Sequence, residues 1–110
     1  MPAAPLLLLT TCPDAETARA IGRALVERRL AACVNLLPGA LSIYRWRDGI
    51  EEEAEVVLLI KTRADRYAEL EAALSVLHPY ELPECIAVSI ERGSTPYLQW
   101  LEQCTRPEEQ

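Results

Sequence analysis

The chain has 110 residues, half of them hydrophobic and a quarter charged, which describes one globular domain with an ordinary core and excludes a disordered segment. Its formal net charge of −6 and isoelectric point near 4.8 argue against nucleic acid or an anionic membrane surface as the main partner. No stretch approaches the roughly 20 apolar residues that a membrane helix needs, so no membrane partner is expected.

Leu6 to Cys12 is an apolar run too short for a helix and reads as a central strand. A signal segment needs a longer apolar region and a basic flank. Asp14 is a natural N-cap, and Ala18, Ile21 and Leu25 make a helical stripe that should end near Arg28 and Arg29. "LAACVNLLPG" is a second strand, interrupted at Pro38-Gly39 and resumed by "ALSIYRWR"; Ile50 to Lys61 returns. Thr62 is expected to cap a second helix, with Asp65 in a capping-box-like position and Tyr67, Leu70, Leu74 and Leu77 as its stripe. "LHPYELPE" is a loop, "CIAVSI" a fourth strand, and "STPYLQWLEQC" a short helix capped by Ser94. About 105–110 reads as a charged tail to a single domain spanning 1–110.

The order β-α-β-β-α-β plus a terminal helix predicts an α+β fold: a ferredoxin-like split β-α-β antiparallel sheet with two helices on one face. The Asp48-Gly49 pair predicts a type I′ turn, which sets Arg47 opposite Ile50, Trp46 opposite Glu51, Arg45 opposite Glu52 and Tyr44 opposite Glu53. Tyr44 and Trp46 then share a face with Glu51, Glu53 and Glu55, while Arg45 and Glu52 pair on the other. Ile50 to Lys61 spans about 40 Å at roughly 3.3 Å per residue, and a domain of this size is only about 35 Å across. The hairpin must overhang its own subunit, and exposed aromatic edges call for a partner subunit, with Tyr44, Trp46, Arg45 and Glu52 at the interface.

Cys12, Cys33, Cys85 and Cys104 show neither C-x-x-C spacing nor the density of a disulfide scaffold, which suits a reducing, cytoplasmic setting. Cys33 reads first as a small buried hydrophobe; the alternative is a soft thiolate ligand for copper. His78 is the only histidine, and "HPYE" places it beside Tyr80 and Glu81. It reads as a loop residue bonded to backbone, or else as a cleft ligand or proton carrier. Glu51, Glu53 and Glu55 are by default a solvated face, although carboxylates on one face suit hard divalent cations. Lys61 is the only lysine among eleven basic residues. Its compact charge on a flexible stem is expected to point into the intersubunit cleft near His78 and a glutamate.

"TTCPD", "ERRLAACVNLLPG", "SIYRWRDGIEEEAEVVLLIKT", "LHPYELPE" and "YLQWL" resemble the CutA family of divalent-cation tolerance proteins, across essentially the whole chain and in the right order. The resemblance implies a tight homotrimer of architecture similar to the PII signalling proteins, with the long hairpin extending a neighbour's sheet. It also implies an association with copper or other divalent cations, without an organic cofactor. The positions of His78, Tyr80 and Glu84 resemble part of a cleft between subunits. The candidate sets are therefore Cys33, His78 and Glu53 for a metal, and Lys61, Tyr80, Glu84 and Glu55 for a cleft ligand.

Metal-ion homeostasis without catalysis is the leading function. The alternative is a PII-like sensor binding a small anionic ligand, although the four glycines are scattered and form no phosphate cradle. An enzyme using His78 and Lys61 lacks a visible nucleophile–base–orienter set. A scaffold for other proteins is a further reading, and no partner protein is named by the residues.

Overall fold

The structure, a computed structural model, describes residues 3–107. Strand β1 (Pro5–Cys12) leads to helix α1 (Ala15–Glu27), strands β2 (Cys33–Trp46) and β3 (Gly49–Arg63), helix α2 (Tyr67–Leu77), strand β4 (Ile86–Ser89) and helix α3 (Thr95–Cys104). The four strands form one antiparallel sheet in the order β2-β3-β1-β4, which is the split β-α-β arrangement expected.

Local chemistry explains the helices. Asp14 Oδ1 accepts from the Thr17 amide at 2.7 Å and caps α1, whose Ala18, Ile21 and Leu25 are buried. Leu70 and Leu74 of α2 join them, and both helices pack on Leu8, Val56, Leu58 and Ile60 to make the main core. Those four are even-numbered residues of β1 and β3; Leu7, Leu9, Val57 and Leu59 point to the opposite face, away from α1 and α2, and stay half-buried. Helix α3 closes one end of that face, where the Tyr97 ring lies 5.8 Å from Lys61 Nζ and Leu101 is buried.

Four expectations are corrected. Thr62 does not cap α2: it continues β3, is fully buried, and its hydroxyl donates to the Leu30 carbonyl at 2.7 Å. A short 3-10 turn, Ala64–Arg66, intervenes before α2. Thr105 does not begin a tail, because its hydroxyl donates to the Leu101 carbonyl at 2.8 Å and its own carbonyl accepts from Arg63 Nη2 at 3.1 Å. Glu108 to Gln110 lie outside the described residues. The fourth strand is only four residues long, Ile86–Ser89, and every residue of it is exposed at the sheet edge, Ile86 and Val88 by about half.

The hairpin tip also differs from expectation. The turn centres on Arg47-Asp48, so that Trp46 pairs with Gly49, Arg45 with Ile50, Tyr44 with Glu51 and Ile43 with Glu52. Arg45 and Glu52 are diagonal rather than opposed. The register moved by two residues, which keeps every side chain on its expected face. Arg47 carries φ 56°, a left-handed conformation that costs a residue with a Cβ about 1–2 kcal/mol. Its guanidinium lies 5.2 Å from the Trp46 ring and 3.0 Å from Glu81 Oε2, contacts that offset part of that cost. A bulge between Leu37 and Ala40, with Gly39 at φ 86°, sets two residues of β2 against one of β3 and so moves the side-chain alternation of β2 by one.

The overhang is visible in the pairing. β1 covers β3 only as far as Val56, so residues 49–55 pair with β2 alone. The long axis reaches 46 Å.

Candidate functional site

The hairpin's carboxylate-bearing face and the loop of residues 78–85 enclose an open groove of about 640 Å³. The loop reaches it for a local reason. A residue before proline avoids the helical region, so His78, which precedes Pro79, is extended at φ −80°, ψ 138°, and α2 stops there. The chain then passes over the end of β1, and the groove is walled by Tyr44 and Trp46 on one side and Tyr80 on the other.

Glu55 forms the floor. It is 6% exposed, at the last position before β3 leaves the domain, and Tyr80 donates its hydroxyl to Glu55 Oε2 at 2.6 Å. Burial pushes the Glu55 carboxyl up, but hydrogen bonds from Ser42, Tyr80 and Thr11 outweigh it and hold the group below its ordinary value. The Tyr80 hydroxyl is raised, by burial and by its bond to this carboxylate.

His78 is engaged on both sides of its ring. Nε2 lies 2.7 Å from the Thr11 carbonyl, which can only accept, and Nδ1 accepts the Tyr80 amide at 3.1 Å. The tautomer is thereby fixed with the proton on Nε2, and no lone pair is left for a metal ion. Cys12 Sγ sits 3.8 Å from Nε2. Burial, Glu55 and Asp14 push the Cys12 thiol up to about 11, so it stays protonated.

The remaining candidates scatter. Cys33 pairs with Lys61 and approaches Asn35 Oδ1 at 3.8 Å. Glu53 is exposed opposite Ser42, and Glu84 is exposed on the groove's lining. Cys33, at Lys61, and Glu55 are six residues apart along β3, roughly 20 Å. Cys33, His78 and Glu53 therefore do not converge within one chain, and among the described residues no group of three or more His, Cys, Asp or Glu is placed to hold a metal. Within one chain Lys61 does not lie beside His78: it pairs with Leu7, four residues along β1 from Thr11, roughly 13 Å away. Three contributors carried no sequence signal: Thr11 and Ser42 at Glu55, and Glu81 at Arg47, a contact across 34 residues.

The profile described as CutA1 divalent ion tolerance protein matches residues 6–104. This chain belongs to the CutA1 family. It is 46% identical over 99 residues to the divalent-cation tolerance protein CutA of Thermus thermophilus, covering 90% of this chain and 96% of that one. The human protein CutA is 50% identical over 95 residues, which cover 86% of this chain but 53% of the human protein, so the chain spans about half that relative's length. Among solved structures, CutA from Xylella fastidiosa superposes with a TM-score of 0.91 at 46% identity, covering 94% of this chain and 100% of the other. The CutA1 fold thus extends over the sheet, the hairpin and all three helices.

The sign of the Glu55 shift gives a testable pH dependence. Its folded value lies below the ordinary carboxylate value, so its contribution to stability is full above about pH 4.3 and is lost as pH falls through the lowered folded value. Tyr80→Phe removes one donor and is expected to cost about 1.5–3 kcal/mol at pH 7. Guanidinium melts at pH 7 and pH 3 are expected to show that gap shrinking in acid. An equal gap at both pH values would refute the charge-assisted bond.

Proposed function

We propose that this CutA1 family member acts as a homotrimer in the tolerance of divalent cations, without catalysis, and that copper is its metal. The observation that carries the assembly is the overhang. Beyond Val56 the hairpin has no covering strand, and it exposes Leu41 at 61%, Ile43 at 64% and Ile50 at 58%. Exposed apolar clusters of this kind on an unpaired ribbon favour burial against another subunit. The exposed edge strand β4, with Ile86 and Val88, offers the complementary unpaired backbone on a neighbour.

A single chain supplies no complete metal site, which directs the proposal to symmetry. Cys33 is partly accessible on the sheet face opposite α1 and α2, and a threefold assembly would multiply it to three soft thiolate donors, the type that Cu(I) prefers. Four unpaired thiols agree with a reducing, cytoplasmic setting. The engaged ring of His78, with Lys61 roughly 13 Å along the sheet, gives no support to an enzyme built on those two. Cys33→Ser is expected to lower Cu(I) affinity at least about tenfold in a competition titration under reducing conditions. Unchanged affinity would return Cys33 to a packing role.

The PII-like alternative, with a small anion in the cleft, is disfavoured by the groove itself, where Glu55, Glu81 and Glu84 set the sign of the field.

A further inference from the structure

The groove between the hairpin and the loop of residues 78–85 has chemistry that metal tolerance does not use. Three aromatic rings, Tyr44, Trp46 and Tyr80, line a space of about 640 Å³ whose floor is the buried Glu55 and whose rim carries Glu81 and Glu84. We propose that this groove binds an organic cation: an ammonium or guanidinium head on a short alkyl chain.

Two of the groove's own groups already recognise such a head. The Arg47 guanidinium rests 5.2 Å from the Trp46 ring and 3.0 Å from Glu81 Oε2, a ring face and a carboxylate acting together on one cation. Tyr44 and Tyr80 offer the same combination with Glu55 on the floor and Glu84 on the rim, and Arg45 is the one basic side chain of the lining. Glu53, Glu51 and Glu55 add to burial in raising the Tyr44 hydroxyl, which agrees with a negative field over its ring. An anion meets that field with the wrong sign. A hard divalent ion needs several converging oxygens, and among the described residues no three carboxylates or other ligand groups come together here. An alkyl cation satisfies both features, its head facing carboxylate and its chain lying on the rings.

The site is independent of the proposed thiolate metal site, which lies roughly 20 Å away along β3 at Cys33. The test is isothermal titration of the assembled full chain with agmatine, at about 10 mM ionic strength to limit screening. Saturable binding with Kd below about 1 mM is expected. Glu84→Gln and Tyr44→Leu should each weaken it about fivefold or more, whereas Cys33→Ser should leave it unchanged. Glu84 is exposed, so its variant tests the site without risk to the fold. A parallel arm uses a capped arginine amide. Binding of both probes assigns the groove to the cationic head, in a free molecule or on a peptide side chain; binding of agmatine alone assigns it to free dications. The proposal is overturned if neither probe saturates by about 10 mM. It is equally overturned if both groove variants bind agmatine like the natural chain, or if glutarate binds more tightly than agmatine.

Discussion

Ile43→Arg is expected to convert the proposed trimer into single chains, read as a mass near 12.3 kDa by light scattering after size exclusion, against about three times that for the natural chain. Ile43 lies on the overhanging part of β2, pairs with Glu52 and is 64% exposed in the isolated chain. Its neighbours on the same face include Leu41 and Ile50 besides Glu52, so the variant replaces the middle of three exposed apolar side chains by a guanidinium. Taking a charge out of water into an interface costs several kcal/mol even with the Glu52 carboxylate opposite it, and a threefold assembly suffers it three times. The fold of each chain should survive, because the patch lies beyond the last residue that β1 covers. A natural chain that elutes as a monomer at low micromolar concentration would end the assembly proposal. A variant that remains trimeric would move the interface away from this face.

The second large effect is in the core. Leu58→Ala is expected to lower the unfolding free energy by about 2–5 kcal/mol, from guanidinium denaturation followed by circular dichroism at fixed subunit concentration. Leu58 is fully buried at the middle of β3, between Thr10 of β1 and Leu36 of β2, in one cluster with Ile21, Leu25, Leu70 and Leu74. The substitution removes transfer free energy and leaves a cavity that helices on one side and strands on two others prevent from collapsing. Val76→Ala is the contrasting control. Val76 is 83% exposed on α2, and its loss should fall within about 0.5 kcal/mol. A Leu58→Ala cost below about 1 kcal/mol would mean that the two layers do not pack as described.

Sequence by itself determined the elements whose causes are local. The stripe of Ala18, Ile21 and Leu25 marked a helix because 3.6-residue periodicity is a property of the backbone, and Asp14 marked its start because a capping bond closes within three residues. The length of the third strand implied an overhang from the rise per residue alone, and the 46 Å long axis agrees with it. Only the tertiary structure decided what each polar group meets. Thr62 looked like a cap, yet the Leu30 carbonyl takes its hydroxyl, because β3 runs on beside the loop before β2. Asp48-Gly49 looked like the turn, yet Arg47 turns the chain, with Trp46 and Glu81 waiting for its guanidinium. His78 read from sequence as a loop residue bonded to backbone, and it is, but only the structure shows that its partners are the Thr11 carbonyl and the Tyr80 amide, and that Tyr80 closes on a carboxylate 25 residues away. Periodicity depends on neighbours along the chain, whereas such a bond depends on where a loop lands after two helices and three strands have packed, and no local pattern encodes that position.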